Sequence, residues 1–170
     1  MQAVYFIGIG GIGMSAIARY YNAKGFKVSG YDKTPSPLTE ALENEGLEVH
    51  YEDVIAFIPK NVESTLVVYT PAIPKDMGEL VYVQENGYRV IKRSKMLGEI
   101  AAGQRCMAVA GTHGKTTTTS MLSLVLMEAG LDPTILVGGE LSQIGGNYKI
   151  GAKDYLVFEA CEYVESFLHF

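Results

Sequence analysis

Short apolar runs rich in β-branched and aromatic residues alternate along the chain with longer segments in which apolar residues recur at helical spacing. The first run, residues 3–9, is followed by a segment of helical period over residues 13–23. Residues 65–69 are mostly apolar, which is typical of a strand buried on both faces. This alternation predicts parallel strands joined by right-handed crossovers, with helices on both faces of the sheet.

The same pattern predicts the remaining elements of two consecutive α/β units. In the first unit, further strands are expected at 27–31, 48–50 and 89–92, and helices at 38–44, 77–86 and 95–102, the last with Ser94 as N-cap. In the second unit, strands are expected at 105–110, 134–137 and 155–159, with one helix at 115–129. We therefore predict an α/β fold. A Rossmann-like parallel sheet domain over residues 1–103 is followed by the start of a P-loop ATPase-like α/β domain over residues 104–170.

The second predicted unit is too small to bury a hydrophobic core that is stable on its own. We infer that the chain is the N-terminal piece of a longer enzyme whose C-terminal domain is absent. Uncovered strand edges and apolar helix faces favour pairing with another chain. We therefore expect either self-association of the fragment or partial disorder after about Gly138, because glycine-rich stretches without packing partners seldom order.

The charge balance excludes one class of partner. The chain has 14 basic and 19 acidic residues, a net charge of −5, and no run of arginine or lysine. Nucleic-acid surfaces usually carry a basic patch, so no nucleic-acid partner is expected.

Cysteine usage and hydropathy indicate the cellular compartment. Cys106 and Cys161 lie in or beside apolar strand-like runs, which predicts buried thiols in a reducing environment. No signal peptide pattern follows Met1, and the longest apolar stretch, residues 121–127, is too short to span a bilayer. We predict a cytoplasmic protein without membrane insertion.

The first of two glycine-rich loops directly follows the apolar run at residues 4–7 and fits the dinucleotide-binding pattern Gly-x-Gly-x-x-Gly. Asp32, 19 residues after the last glycine, ends the next predicted strand, where an acid reaches a ribose hydroxyl. We predict phosphate binding here. The alternatives are a glycine turn without a ligand and, for Asp32, a solvated turn residue. The loop residues singled out are Gly8, Gly10, Gly11, Ile12 and Gly13.

A proline-containing loop, Thr70-Pro71-Ala72-Ile73-Pro74, follows the strand predicted at residues 65–69. Ligands of open parallel sheets bind at the carboxyl ends of the strands, so Thr70, Pro71 and Ala72 are expected to wall the same crevice. A rigid turn set by the two prolines explains this segment equally well.

The second glycine-rich loop lies between a predicted strand and a predicted helix. In such loops backbone amides cradle phosphate oxygens, the lysine reaches the β- and γ-phosphates, and the next hydroxyl can ligate Mg²⁺. The strict pattern requires glycine where this chain has Val109, but Gly111 and Gly114 still free the backbone. Lys115 opposes the helix dipole, which makes sense if an anion binds there. We predict ATP binding, against a purely structural loop, by Gly111, Thr112, His113, Gly114, Lys115, Thr116 and Thr117.

Glu159 ends the strand predicted at residues 155–159, beside the second loop. An acid at the carboxyl end of a strand next to a phosphate loop is the expected position of a Mg²⁺ ligand. We therefore favour Thr116 and Glu159 as the metal ligands. Glu162, three residues on, is undecided between the same ligand shell and a solvated loop position.

Five motifs, taken in order, resemble the Mur ligases of peptidoglycan synthesis. They are Gly-Ile-Gly-Gly-Ile-Gly-Met-Ser at 8–15, Tyr-Thr-Pro-Ala-Ile at 69–73, Gly-Thr-His-Gly-Lys-Thr-Thr at 111–117, Val-Gly-Gly-Glu-Leu at 137–141, and Glu-Ala-Cys-Glu at 159–162 with Ser-Phe-Leu at 166–168. The resemblance covers essentially the whole chain. Where the family usually has Glu-Ala-Asp-Glu-Ser, this chain has Cys161 for the aspartate and Tyr163 for the serine, which leaves the role of Glu162 open.

The resemblance implies a three-domain enzyme. Its N-terminal domain holds the UDP of the substrate, its central domain is an ATPase, and its C-terminal domain completes the site for ATP and the amino acid. The first loop would then hold the UDP diphosphate rather than NAD, and residues 138–146 with Asn147 would lie along the sugar side. Lys115 would contact the γ-phosphate as the catalytic residue, and Thr116 and Glu159 match the Mg²⁺ positions.

The family chemistry implies that ATP phosphorylates the lactyl carboxylate of UDP-N-acetylmuramate and that the amine of L-alanine then attacks the acyl phosphate. Phosphoryl transfer needs positioning and charge neutralisation, which lysine, Mg²⁺ and amide donors supply. The downstream family residues are absent, so these 170 residues are not expected to catalyse ligation alone.

Four alternative hypotheses remain open. The acceptor could be a tripeptide of cell-wall recycling instead of L-alanine. An NAD-binding oxidoreductase or sensor module explains the first loop and Asp32 but not the second loop. A small P-loop kinase explains Lys115 and Thr116 but not the first unit, and a non-catalytic piece that only holds a UDP ligand is the fourth.

Overall fold

A computed structural model describes residues 1–152 and 154–160. The chain divides into two compact units, Met1–Arg93 and Ser94–Phe170. This division falls ahead of the joint expected near residue 103, so the helix that precedes that joint belongs to the second unit.

The first unit is a five-stranded parallel sheet in the order β3-β2-β1-β4-β5. Its α-helices α1 and α2 follow β1 and β2, α3 joins β4 to β5, and a single 3₁₀ turn, Ile55–Phe57, lies in the crossover from β3 to β4. The bounds are β1 Ala3–Ile7, α1 Ile12–Ala23, β2 Lys27–Tyr31, α2 Pro37–Asn44, β3 Glu48–His50, β4 Thr65–Tyr69, α3 Gly78–Glu85 and β5 Arg89–Lys92.

Strand β1 lies at the centre of this sheet, and all five of its residues are buried. Tyr5 and Ile7 contribute to a core cluster with Val67, Leu80 and Val83 from β4 and α3. Because the centre of the sheet is fixed by this burial on both faces, the loop that leaves β1 starts from a rigid position.

A buried polar cluster lies within this core. The hydroxyl of Tyr5 donates to Glu79 Oε2 at 2.5 Å and lies 2.7 Å from Nε2 of His50. Glu79 Oε1 accepts from the Val54 N–H at 3.1 Å, and the Glu79 side chain is fully buried. Burial, reinforced by the charge of Asp53, raises the pKa of Glu79 from its usual 4.5 to about 7, and burial lowers the pKa of His50.

We expect the free energy of unfolding to fall as the pH rises from about 4.5 to about 7, relative to a Glu79→Gln variant. The folded chain keeps a proton on Glu79 that the unfolded chain releases near pH 4.5, so over this window the folded state binds more protons. A shift of this size corresponds to about 3 kcal/mol. Urea denaturation of both proteins at several pH values measures the difference.

His50 acts in the opposite direction in the same experiment. Its lowered pKa makes stability rise with pH until its unfolded-state pKa is passed, and this contribution is present in both proteins. The comparison with Glu79→Gln therefore isolates the carboxyl group. The same pH dependence in the two proteins would show that folding leaves the pKa of Glu79 at its usual value.

The second unit contains a four-stranded mixed sheet in the order β6-β9-β7-β8, in which β6, β9 and β7 are parallel and β8 pairs antiparallel with β7. Helix α5 follows β6 and contacts β7 and β9. The bounds are α4 Arg93–Ala101, which begins at the division between the units, β6 Arg105–Val109, α5 Lys115–Glu128, β7 Thr134–Leu141, β8 Gly146–Lys149 and β9 Tyr155–Glu159.

Several sequence predictions for this unit differ from the structure. Helix α4 begins at Arg93, so Ser94 is inside the helix rather than its N-cap. Strand β7 continues to Leu141 through two glycines, and β8 was not predicted. The disorder expected after about Gly138 is therefore wrong for residues 138–149, because β7 and β8 supply each other's backbone partners.

Cys106 is exposed, contrary to the predicted buried thiol. It lies on β6, which forms one edge of the sheet within the described part of the chain. Cys161 and Glu162 lie outside the described residues. Among the helices that the structure describes, none combines the length and the apolar character needed to cross a bilayer.

Candidate functional site

The first glycine loop turns sharply at the carboxyl end of β1. Gly8 adopts a left-handed φ of +89°, and its N–H and that of Ile9 donate to the Tyr31 carbonyl at 2.8 and 3.0 Å. These bonds fix the loop to the end of β2. Helix α1 then begins at Ile12 with Gly11 as N-cap, without a side-chain cap and without an acidic residue in its first turn. An uncapped helix N-terminus leaves N–H groups that can bind an anion.

Side chains from four other segments surround this loop so closely that Gly10 and Gly13 have no room for a Cβ atom and Gly8 has little. A Cβ on Gly8 would lie 3.0 Å from Thr70 Cγ2, and one on Gly10 would lie 2.6 Å from Thr39 Cγ2. A Cβ on Gly13 would overlap the guanidinium of Arg93. The carboxyl ends of the strands thus form one crevice, as expected for an open parallel sheet.

Asp32 holds the loop in place through the backbone. Its Oδ2 accepts from the Gly10 N–H at 2.7 Å, and its Oδ1 accepts from the Lys33 N–H at 2.8 Å. The carboxylate therefore lies in the crevice beside the glycines. Its hydrogen bonds fix the turn that follows β2 as well as the loop that follows β1.

The loop after β4 contacts the same crevice. Ile73 closes a turn by donating its N–H to the Thr70 carbonyl at 3.1 Å, and its Cδ1 would lie 3.3 Å from a Cβ on Gly8. Pro71 and Ala72 at the tip of the turn are exposed. The structure therefore brings Thr70 and Ile73 against the glycine loop and leaves the tip open to solvent.

The second glycine loop follows β6 and opens α5. Gly111 and Gly114 have φ values of +147° and +73°, which residues other than glycine rarely adopt. Gly114 is the N-cap of α5, which has neither a side-chain cap nor an acid in its first turn. Lys115 Nζ donates to the Gly111 carbonyl, so the lysine folds back over its own loop. The four residues Gly111, Thr112, His113 and Gly114 are exposed.

Thr116 and Glu159 both approach the glycine pair of β7. Glu159 Oε1 accepts from the Gly138 N–H at 2.8 Å. A Cβ on Gly138 would lie 2.6 Å from Glu159 Oε2, and one on Gly139 would lie 2.8 Å from Thr116 Cγ2. Because Gly138 and Gly139 have no side chains, Thr116 from α5 and Glu159 from β9 can lie directly against β7.

The donor set at this position suits a hard cation. A threonine hydroxyl and a carboxylate offer oxygen ligands of the type that Mg²⁺ prefers, with the remaining positions left to water and phosphate. No group of three or more His, Cys, Asp or Glu side chains that could hold a metal occurs within the residues that the structure describes.

Asn147 lies on β8, and its side chain is only 3% exposed. It is held inside the second unit instead of being presented at the surface. The burial of Asn147 therefore gives no support to the predicted contact between this residue and the sugar of the substrate.

Sequence reasoning missed two residues of the first crevice. Thr39 is buried on α2, where its side chain also takes part in the capping box with Ser36. Arg93 immediately follows β5 and is half-buried. Their only sequence signal is position, because the end of β5 and the start of α2 lie at the carboxyl edge of the predicted sheet.

Comparison with known proteins places these features in a family context. Residues 3–105 match the profile of the Mur ligase family, catalytic domain. The chain is 52% identical over 173 residues to the UDP-N-acetylmuramate–L-alanine ligase of Porphyromonas gingivalis, which covers 99% of this chain and 38% of that protein. The corresponding ligase of Clostridium kluyveri is 52% identical over 170 residues, covering 99% of this chain and 37% of that protein.

Solved structures give the same result. A UDP-N-acetylmuramate–alanine ligase from Thermotoga maritima superposes with a TM-score of 0.87 at 30% identity, over 94% of this chain and 37% of that one. A murein peptide ligase from Psychrobacter arcticus superposes with a TM-score of 0.89 at 29% identity, over 100% of this chain and 41% of that one. The chain spans about 38% of the length of the curated relatives that it matches.

Proposed function

The chain belongs to the Mur ligase family, and we propose that it forms the substrate-binding part and the start of the ATP-binding part of a ligase that joins L-alanine to UDP-N-acetylmuramate. The observation that carries this proposal is the presence of two different glycine loops, each in its own α/β unit. Each loop leads into a helix whose N-terminus has no side-chain cap. One nucleotide site is common to many proteins, whereas two suit a reaction between two phosphorylated substrates.

In this proposal the first loop holds the diphosphate of the UDP substrate. The loop that leads into α1 lies against Asp32, Thr70 and Ile73, and Ile12, the first residue of α1, is exposed. We assign Asp32, which also holds Gly10, to a hydrogen bond with a ribose hydroxyl of the substrate. We assign residues 1–103 to this function, with α4 leading into the second unit.

The second loop holds the triphosphate of ATP. Backbone N–H groups of residues 111–117 bind phosphate oxygens, and Lys115 exchanges its bond to the Gly111 carbonyl for the γ-phosphate. Mg²⁺, held by Thr116 and Glu159, would neutralise phosphate charge when bound. Transfer of the γ-phosphoryl group to the lactyl carboxylate gives an acyl phosphate, and the amine of alanine displaces the phosphate to form an amide.

The choice of L-alanine as the acceptor is supported by the relatives. At 48–52% identity, eight similar curated proteins are UDP-N-acetylmuramate–L-alanine ligases. The murein peptide ligases, whose structures are about equally similar, make a tripeptide acceptor the second candidate. ATP and UDP-linked precursors are cytoplasmic metabolites, so we propose a cytoplasmic location.

Calorimetric titration tests the substrate assignment with the 170-residue chain. UDP-N-acetylmuramate and UDP are expected to bind with heat that saturates at one site per chain, whereas NADH is expected to give none. The reason is that the crevice at the first loop is proposed to fit the shorter uridine diphosphate. Saturable binding of NADH without binding of UDP would replace this proposal by a dinucleotide-binding function.

A further inference from the structure

Arg93 occupies an unusual position at the first glycine loop. It follows β5 directly, at the carboxyl edge of the sheet, and its guanidinium nitrogen Nη1 lies so close to Gly13 that a Cβ on this glycine would overlap it. Gly13 is in the first turn of α1. The loop glycine therefore makes room for this arginine, in addition to any room that it makes for a ligand.

The electrostatics of this position are unfavourable without an anion. The N-terminus of α1 carries partial positive charge, and its first turn contains no acidic residue to offset that charge. Within residues 1–152 and 154–160, no carboxylate forms an ion pair with Arg93 and no acceptor takes a hydrogen bond from its side chain. The half-buried guanidinium of Arg93 thus adds a positive charge next to the partial positive charge of the helix N-terminus.

Asp32 does not supply the missing counter-charge to this arginine. Both of its carboxylate oxygens are engaged by backbone N–H groups, those of Gly10 and Lys33. Asp32 also places a negative charge beside the loop that is proposed to bind a diphosphate. A positive side chain at the opposite end of the loop offsets the repulsion that this carboxylate exerts on an incoming anion.

We propose that Arg93 is a binding residue for the diphosphate of the UDP substrate, with its planar guanidinium donating to phosphate oxygens above Gly13. This inference rests on the proposed function of the first loop. Arginine suits the task because its fork of N–H donors matches two phosphate oxygens at once, which lysine cannot do. Gly13 then has a specific role, which is to leave space for the guanidinium beside the start of α1.

Titrations of UDP and of uridine into three variants test this role. Arg93→Gln is expected to weaken UDP binding about 10- to 100-fold, as for other hydrogen bonds to charged groups, and to leave uridine binding unchanged. Arg93→Lys is expected to recover only part of the loss. Arg89→Gln, which removes the same charge from the other end of β5, is the matched control and is expected to bind UDP as the unmodified chain does.

Gly13→Ala supplies an independent measurement. The added methyl group overlaps the guanidinium, so it displaces Arg93 and is expected to weaken UDP binding strongly in the unmodified chain. In the Arg93→Gln background the same change is expected to have a much smaller effect, because the displaced group is already absent. Such non-additivity identifies a direct coupling between the two positions.

The outcomes separate this inference from the proposal on which it rests. If the unmodified chain binds no UDP, the assignment of the first loop is wrong. If the unmodified chain binds UDP and folded Arg93→Gln binds it equally well, the assignment stands and the role of Arg93 is wrong. Equal losses for UDP and uridine would mean that Arg93 only supports the fold, which also overturns its role. Circular dichroism shows that each variant is folded.

Discussion

Lys115→Ala, introduced into a ligase of full family length that carries this sequence, is expected to lower the rate of ATP-dependent ligation by at least about 10²–10³-fold. Loss of one positioned donor at an electrostatic phosphoryl-transfer site has effects of this size. Lys115 begins α5 directly after Gly114, the second of two loop glycines with positive φ, and it contacts the loop carbonyl that a phosphate would replace. Phosphate release from ATP with UDP-N-acetylmuramate and L-alanine measures the rate.

Binding of UDP-N-acetylmuramate to Lys115→Ala is expected to be unchanged, because the first loop lies in a different unit of the chain. Lys95→Ala, which removes an exposed lysine from α4, is the matched control and is expected to retain full turnover. Ligation by Lys115→Ala at the control rate would contradict the assignment of the second loop to ATP.

The first unit could be predicted almost entirely from the sequence. Four of its five strands have the predicted bounds, because each is a short apolar run between strong turn signals. Strand β1 ends at Ile7 instead of residue 9, since Gly8 adopts a positive φ that stops the strand. Local sequence patterns determined these elements, and tertiary packing changed them little.

The second unit was less predictable because its structure depends on long-range pairing. Gly138 and Gly139 indicated a loop, yet β7 continues through them and pairs with β8 after a short turn. Glycine lowers strand propensity, but the pairing partner and the side chains that fill the space above these glycines override it. A period-2 pattern over so few residues gave no signal for β8.

The residues of the candidate site divide in the same way. Glycines and acids inside recognisable motifs were predicted, whereas Thr39 and Arg93 reach the crevice from elements whose sequences carry no motif. The buried cluster of Tyr5, His50 and Glu79 was also missed. It brings together residues 45 and 74 positions apart, and no local pattern records such a contact.

The second large effect on the rate of ligation is expected at Glu159, the carboxylate that lies against Gly138 in β7. Glu159→Ala is expected to lower the rate of ligation by about 10²–10³-fold, because it removes the carboxylate proposed to hold Mg²⁺ against the phosphates of ATP. Asp154→Asn, which changes an exposed acid at the other end of β9, is expected to leave the rate unchanged. Rates at a series of Mg²⁺ concentrations distinguish a lost ligand from a damaged fold, since only a lost ligand shifts the Mg²⁺ requirement.

Gly138→Ala tests the same carboxylate without removing it. Its backbone conformation is open to alanine, but the added Cβ would lie 2.6 Å from Glu159 Oε2, so the carboxylate must move. The moving carboxylate also loses the geometry of its bond from the Gly138 N–H, and disturbing a hydrogen bond that orients a metal ligand typically costs about 10–100-fold in metal affinity or activity. We therefore expect Gly138→Ala to need more Mg²⁺ for half-maximal rate than the unmodified enzyme, although both of its proposed ligands are still present. An unchanged Mg²⁺ requirement in both Gly138→Ala and Glu159→Ala would place the metal elsewhere.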